Sequence, residues 1–263
     1  MNILIGALLV VVFCYACALV YFYLRQEKIL FHPRHFPQSY QYSYQWPFEE
    51  YFLSPEQGIE LSVLKFRTEK PRGLILYLHG NRGHLGKSGS FFGRVCSFGY
   101  DVALYDYRHF GKSNGTLEYE TLLSDGLFIF DHFAKIYGEE NICIHGTSLG
   151  SGISSYIASK RRPKQVVLET PYYSIAHVAR SRYPFLPVLF VIRFPLSNAD
   201  NIASIACPVH LIHGTGDRTV PYQSSVMLLA LNPAATLHTV AGGDHSDLKL
   251  FEDYHRALRD IYR

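Results

Sequence analysis

The stretch "IHGTSLGSG", residues 144–152, decides how this chain is expected to fold. Ser148 stands between Gly146 and Gly150, after an apolar run and before "LGSGISSYIASK", which has a helical pattern. A serine on a tight turn between a strand and a helix has a strained backbone, and flanking glycines leave room for that turn. The context therefore predicts Ser148 as a nucleophile, against the alternative of an ordinary serine in a glycine-rich turn.

Apolar runs bounded by glycine or proline recur along the chain on both sides of this turn. Several are continuous rather than alternating, which is typical of parallel strands buried on both faces. Amphipathic segments lie between or after them, at 118–137 and 247–262. This alternation predicts an α/β fold with a doubly wound, mostly parallel sheet that binds ligands at the carboxyl ends of its strands. The predicted strands are 61–66, 74–78, 102–105, 142–144, 166–168, 209–212 and 237–240.

A serine hydroxyl needs a base to take its proton, and the base needs a carboxylate to orient it. His245 is the predicted base because it lies in the glycine-rich loop "AGGDHSD", where a side chain can turn toward the serine. Asp217, in the turn "HGTGDRTVP", is the predicted acid, with Asp244 and Asp247 as the alternatives. The remaining histidines near strands or on the last helix are expected to pack or face solvent: His79, His145, His213, His238 and His255.

The oxyanion of an acyl-transfer intermediate needs main-chain N–H donors near the nucleophile. One is expected from Leu149, which follows Ser148 at the start of a helix. The other is expected from Asn81 in "LHGNRGH", the loop after the strand 74–78. This set of residues requires no metal and no organic cofactor.

The composition excludes other classes of protein. With 263 residues, a formal net charge of +3 and no basic block longer than Lys160-Arg161-Arg162, the chain is not expected to bind nucleic acid. The odd number of cysteines predicts no disulfide framework. Two of the five cysteines lie in the first apolar stretch and three in apolar surroundings, so no cysteine metal site is expected: Cys14, Cys17, Cys96, Cys143 and Cys207.

The chain is uncharged from Ile3 to Leu24, which at about 1.5 Å per residue is long enough to cross a bilayer core of about 30 Å. We expect a single-pass membrane anchor over 1–24, then a stalk over 25–50 and a catalytic domain over 51–263. A cleaved signal peptide is the alternative, because Ala16-Cys17-Ala18 resembles a cleavage site. Basic residues follow this stretch and none precedes it, which predicts that the soluble domain is cytoplasmic. They are Arg25, Lys28 and Arg34.

One long connection, at about 172–203, breaks the alternation of strands and helices. It contains "RYPFLPVLFVIRFPLS", residues 182–197, whose prolines forbid one long regular helix. We expect an insertion that caps the strand ends and offers Phe185, Leu186 and Phe190 to a substrate. The alternative is a connecting helix packed on the sheet.

The motifs together resemble the α/β-hydrolase superfamily. They are "HGNRG" (79–83), "DYRHFGKSNG" (106–115), "GTSLG" (146–150), "HGTGDRTVP" (213–221) and "GGDHSD" (242–247). With the N-terminal anchor, they are similar to the membrane-anchored branch that contains protein depalmitoylases and lysophospholipases. The resemblance implies an eight-stranded sheet. The chain departs from the depalmitoylases because Cys14 and Cys17 lie within an apolar span rather than in a lipidated cysteine-rich N-terminus.

The expected function is that of a membrane-anchored serine hydrolase, which cleaves a carboxylic ester or thioester through an acyl-enzyme. The expected partners are an acyl substrate, lipid-like in view of the apolar cap, and the lipid bilayer. Two alternatives remain: an amidase or peptidase with the same triad, and a membrane-bound binding module without activity.

Overall fold

Eight strands form one mixed sheet in the computed structural model, which describes residues 2–263. They are β1 (Phe48–Leu53), β2 (Leu61–Phe66), β3 (Leu74–Leu78), β4 (Asp101–Tyr105), β5 (Ile142–Thr147), β6 (Gln165–Glu169), β7 (Val209–Gly214) and β8 (Thr236–Val240). Their order across the sheet is β1-β2-β4-β3-β5-β6-β7-β8. β2 runs antiparallel to both β1 and β4, and the other pairs are parallel. The predicted mostly parallel, eight-stranded α/β sheet is thus confirmed.

All seven strands predicted from apolar runs are present, with ends that differ by a few residues. β1 is the strand that the apolar runs do not indicate. It lies at the edge of the sheet, where its residues are only half-buried or exposed, and its sequence FEEYFL includes two glutamates. An edge strand with one solvated side does not need a continuous apolar run.

Helices cover both faces of the sheet. They are α1 (Asn2–Leu30), α2 (Leu85–Val95), α3 (Tyr119–Tyr137), α4 (Leu149–Lys160), α5 (Ile175–Arg182), α6 (Val188–Val191), α7 (Ala199–Ile202), α8 (Gln223–Leu231) and α9 (Glu252–Tyr262). α2 and α9 bury their apolar sides against one face of the sheet. α3, α4 and α8 cover the other face. The two core layers hold the strand ends rigidly, and the loops beyond those ends carry the site.

The two amphipathic segments form helices with local signals at their ends. α3 begins after Glu118, which forms a capping box with Thr121, and it stops at Gly138, where φ is 82°. α9 begins later than the pattern indicates, at Glu252. A short 3₁₀ turn, Leu248–Leu250, and the extended backbone of Phe251 precede it.

α1 is long and apolar enough to cross a membrane, and its most apolar window, of mean hydropathy 2.9, has 0% of its residues buried in the protein. The helix does not end at residue 24 but continues to Leu30. Beyond it, Phe31 joins one core layer and Tyr42 the other. Residues 25–50 are therefore not a separate stalk, because their aromatic side chains pack into the domain.

The long connection between β6 and β7 forms a small cap. α5 and α6 lie next to the loops that follow β3 and β5, since all four line one cavity, and Pro187 stands at the start of the short α6. α7 then returns to the body of the domain, where Ile202 is buried in the core. The connection is thus a cap and not a single helix packed on the sheet.

Candidate active site

Ser148 lies on a sharp turn between β5 and α4, with φ 53° and ψ −114°. A Cβ atom at Gly146 would lie 2.2 Å from Ser154 Oγ, and one at Gly150 would lie 2.2 Å from the carbonyl oxygen of Leu78. Any larger residue at either position would force the turn to move. The two glycines therefore allow the strained conformation that holds Ser148 above the sheet.

Two loops bring partners to this serine from distant parts of the chain. His245, in the loop after β8, has its Nε2 atom 2.9 Å from Ser148 Oγ. Its Nδ1 atom lies 2.7 Å from Oδ2 of Asp217, which follows β7. The structure thus brings together the predicted nucleophile, base and acid in one hydrogen-bonded chain.

The carboxylate of Asp217 is buried, and hydrogen bonds surround it. Its Oδ1 atom accepts from the main-chain amides of Thr219 and Val220, both at 2.8 Å. Burial raises the pKa of Asp217, but hydrogen bonds from His213 and His245 outweigh this, so the pKa lies well below its ordinary value. An ionised Asp217 requires the proton on Nδ1 of His245, which leaves Nε2 free to accept the hydroxyl proton of Ser148.

His213 is a second partner of Asp217 that the sequence does not single out for this task. Its Nε2 atom lies 3.2 Å from Oδ2 of Asp217 and 2.9 Å from the carbonyl oxygen of Val220. Ser225 Oγ contacts the other ring nitrogen at 2.7 Å. As expected, His213 does not act on Ser148 directly, because Asp217 and His245 lie between them. Its contact with Asp217 holds the carboxylate in place.

The alternative acids and bases have other partners. The carboxylate of Asp244 pairs with Arg218 at 3.0 Å, and Asp247 accepts from the main-chain amide of Asp244 at 2.7 Å. His238 contacts His210, and His255 contacts the carbonyl of Lys249. None of these side chains contacts Ser148 in the described part of the chain.

Asn81 and Leu149, the predicted oxyanion donors, line the same cavity as Ser148. As the first residue of α4, Leu149 has a main-chain amide for which the helix itself offers no acceptor. The side chain of Asn81 points elsewhere and donates to the carbonyl of Leu30 at 2.9 Å. The main-chain amide of Asn81 is therefore the candidate oxyanion donor of this loop.

An apolar cavity of about 200 Å³ opens beside Ser148, under the cap. Leu186, as expected, is in its wall, together with Tyr172, Val188 and Ile192. The expectation for Phe185 and Phe190 is wrong: neither is in the wall, and they are 73% and 90% exposed. In α6, Val188 and Val191 stand three residues apart and both line the cavity, so Phe190 between them points outward.

The last turns of α1 form the opposite wall of this cavity, which the sequence does not predict. Phe22, Gln26, Ile29 and Leu30 all line it. Gln26 also fastens the cap, since it donates to the carbonyl of Val191 at 2.8 Å and its Oε1 atom accepts from the amide of Arg193 at 2.6 Å. An uncharged amide side chain just beyond an apolar span is the signal that could have indicated this contact.

A polar groove of about 480 Å³ reaches Ser148 and His245 from the other side. Arg82, Lys87 and Lys249 lie along it, with Glu169 as an acidic member. The carboxylate of Glu169 contacts His145 at 2.9 Å and Tyr254 at 2.8 Å. Burial raises the pKa of Glu169, and these contacts outweigh it to give a pKa below the ordinary value. With Glu169 paired, the free charges of the groove are positive.

The motif "DYRHFGKSNG" supports the site from a distance. Arg108 makes two hydrogen bonds to Asp125, at 2.8 and 2.9 Å, and Ser113 donates to the carbonyl of Asp106 at 2.7 Å. None of its side chains lines either cavity in the described residues. The motif therefore fixes the turn beyond β4.

Residues 69–193 match a family model described as "Serine aminopeptidase, S33". This match includes Ser148 and most of the cap and ends before Asp217.

Among known proteins, the chain is 29% identical over 216 residues to the lysophosphatidylserine lipase ABHD12 of Danio rerio, covering 66% of this chain and 56% of the relative. It is 30% identical over 221 residues to the Gallus gallus protein of that name, covering 72% of this chain and 58% of the relative. The chain thus spans little more than half the length of these relatives.

Solved structures share the fold at lower sequence identity. An esterase of Pyrococcus furiosus, Pf2001, superposes with a TM-score of 0.68 at 16% identity, covering 89% of this chain and 96% of that one. Est1E of Butyrivibrio proteoclasticus with bound ferulic acid gives 0.66 at 20% identity, covering 80% and 97%. The chain therefore has the α/β-hydrolase fold.

Proposed function

We propose that the chain is a membrane-anchored serine hydrolase that cleaves a carboxylic ester or thioester of a lipid with one acyl chain and an anionic polar headgroup. The observation that carries the proposal is the hydrogen-bonded chain Ser148–His245–Asp217, at the point where an apolar cavity and a cation-lined groove meet. The names of the relatives, lysophosphatidylserine lipases, support this class of substrate.

In the proposed reaction, Ser148 Oγ attacks the ester carbonyl while His245 Nε2 takes its proton. The main-chain amides of Asn81 and Leu149 donate to the oxyanion that forms. His245 then gives the proton to the leaving alcohol or thiol, which leaves an acyl group on Ser148. A water molecule, deprotonated by His245, releases the fatty acid and restores the serine.

The two cavities support a division of the substrate between them. The apolar cavity, with Leu186 in its wall, suits an acyl chain, and transfer of each CH₂ group from water contributes about 0.8 kcal/mol. Arg82, Lys87 and Lys249 in the groove suit a phosphate or carboxylate in the headgroup. The ester between the two parts would then lie at Ser148.

We propose that α1 is the anchor and that residues 31–263 form the catalytic domain on the cytoplasmic side. Arg25 and Lys28 lie in the last turns of α1 and Arg34 follows just beyond it, which supports this orientation by the positive-inside rule. Protease treatment of sealed cells and of inverted vesicles tests it. Digestion of the domain in intact cells would contradict the cytoplasmic orientation.

Labelling of the full chain in membranes by a fluorophosphonate probe tests the enzymatic claim. We expect labelling of the wild type and none of Ser148→Ala. Ser154→Ala is the matched control, because Ser154 is buried in α4 nearby and its hydroxyl has no partner among the described residues. Absence of labelling in the folded wild type would support the alternative of a binding module.

Turnover of a lipid panel tests the substrate class. We expect monoacyl lipids with an anionic headgroup to be cleaved faster than the same acyl chain on a neutral glycerol. Matched acyl esters, thioesters and amides belong in the same panel. Faster cleavage of the amide would favour the amidase alternative that the name of the family model suggests.

A further inference from the structure

The uncharged segment 183–192, here called the cap tip, turns large apolar side chains away from the protein. It reads "YPFLPVLFVI", and arginines stand on either side of it, at positions 182 and 193. Leu189, between the exposed Phe185 and Phe190, is itself 61% exposed. An aromatic and aliphatic surface between two cations is typical of protein segments that enter a lipid interface.

The cap tip lies along α1 and is fastened to it at several levels. Because the contacting residues of α1 recur at helical spacing, one face of the helix follows the tip over a length of about 16 Å. The contacts are Tyr15 with the carbonyl of Phe185 (2.8 Å), Phe22 with Tyr183 (5.1 Å between ring centroids) and Gln26 with the carbonyl of Val191 (2.8 Å).

These contacts fix the depth of the tip relative to the apolar part of α1. Arg25 is the first charge after the apolar stretch and marks the membrane surface. Arg193 lies at nearly this level, since its guanidinium stands 5.7 Å from the ring centroid of Tyr23. Phe185, in contrast, is held at the level of Tyr15, about 15 Å further into the apolar stretch. With α1 across a bilayer, these levels would place the arginine at the membrane surface and the aromatic side chain within the hydrocarbon.

We propose that the cap tip inserts into the lipid leaflet next to the domain, and that the seam between the tip and α1 admits an acyl chain to the apolar cavity. α1 and the cap form the two sides of that cavity, through Gln26 and Ile29 on one side and Val191 and Ile192 on the other. The occupant of the exposed surface is the acyl layer of the bilayer, because α1 itself carries the tip to that depth. The entry route rests on the proposed ester hydrolysis, whereas the insertion does not.

Depth-dependent fluorescence quenching tests the insertion. Leu189→Trp is introduced into the full chain together with Trp46→Phe, which removes the natural tryptophan. The protein is reconstituted into phosphatidylcholine vesicles whose acyl chains carry bromine at defined positions. We expect stronger quenching of Leu189→Trp than of Ile136→Trp, its matched control. Ile136 is also a large apolar residue, 57% exposed, at the end of α3 away from the cap. Equal quenching of the two variants would overturn the insertion. A second contradicting result would be a cross-linked dimer in which Leu189→Trp is not quenched, because the tip would then be covered by a second copy of the chain and not by lipid.

Turnover by the double variant Leu189→Ser/Phe190→Ser tests the entry route. These side chains lie outside the cavity, so we expect unchanged cleavage of a water-soluble butyrate ester and at least tenfold slower cleavage of a long-chain ester in vesicles. An equal rate on the vesicle substrate would overturn the route. A wild type that cleaves neither ester would contradict the proposed function instead, and the quenching result would stand by itself.

Discussion

The side-chain amide of Asn81 donates a hydrogen bond to the carbonyl of Leu30, with 2.9 Å between nitrogen and oxygen. In return, the amide of His32 donates to the carbonyl of Asn81 at 3.1 Å. The loop that carries one proposed oxyanion donor is thus tied to the end of α1. A displacement of α1 would be transmitted directly to the amide beside Ser148.

Replacement of Asn81 by alanine keeps the main-chain amide and removes the bond to Leu30. We expect kcat on a water-soluble ester to fall about tenfold, which corresponds to about 1.4 kcal/mol of transition-state stabilisation, with little change in KM. Steady-state kinetics of the membrane-bound chain measure this. Asn232→Ala is the control, since Asn232 also donates to a main-chain carbonyl, that of Ile202, away from the site. An unchanged kcat in Asn81→Ala would show that the bond does not position the loop.

Replacement of Asp217 by asparagine tests the assignment of the acid. The substitution keeps the shape of the side chain, but an amide favours the wrong tautomer of His245, so we expect kcat to fall by about 10⁴ without loss of the fold. Asp244→Asn is the control, because the carboxylate of Asp244 pairs with Arg218 at the surface. A larger loss in Asp244→Asn than in Asp217→Asn would reverse the assignment.

Replacement of Leu186 by tryptophan narrows the apolar cavity of about 200 Å³. We expect kcat/KM for long acyl esters to fall more than tenfold, while acetyl and butyryl esters keep most of their turnover. Only long acyl chains need the part of the cavity that the tryptophan side chain would occupy. An acyl series from two to sixteen carbons in detergent solution measures this. Leu189→Trp adds the same side chain outside the cavity and should keep the wild-type profile. Wild-type activity that peaks at acetyl would argue against acyl binding in this cavity.

The paired His210 and His238 predict a dependence of stability on pH. Burial, and to a lesser degree the nearby His238, lowers the pKa of His210 to about 4, from an ordinary value of 6.5. The unfolded chain binds a proton here at a higher pH than the folded chain does. Its contribution to stability is therefore complete above pH 6.5 and is lost as the pH falls toward 4.

Chemical denaturation at a series of pH values checks this expectation. The free energy of unfolding of His210→Gln should fall less steeply between pH 6.5 and 4 than that of the wild type. His109→Asn, at an exposed turn position with φ 68°, is the control and should keep the wild-type slope. Identical slopes for all three proteins would mean that His210 does not contribute.

The sheet and the Ser148 turn could be predicted because their determinants are local. A strand, a glycine, a serine and a helix follow one another within a few residues, and Gly146 and Gly150 are required by contacts that any such turn makes. The loops with Asp217 and His245 could be found because they follow predicted strands. β1 was not predicted, since a half-exposed edge strand carries no apolar run.

The walls of the cavity could not be derived in the same way. The bond between Tyr15 and Phe185 joins residues 170 positions apart, and no period in the sequence relates them. Within the cap, prolines break the helical repeat that would have separated inward from outward side chains. The sequence therefore did not indicate that Leu186 lines the cavity while Phe185 and Phe190 point outward. The polar groove likewise brings together Arg82 and Lys249, which are 167 positions apart in the sequence.

Because of Gln26, α1 is not expected to be replaceable by an unrelated apolar helix. Its side chain joins the cap to α1 through bonds in both directions, and together with Tyr15 and Phe22 it defines one stripe of the helix. A foreign span of the same length and hydropathy would keep the domain at the membrane and still leave the cavity without one wall. Two requirements therefore act on one helix. The side of α1 that faces away from the domain needs only apolar side chains, whereas the side with Tyr15, Phe22 and Gln26 must fit the cap.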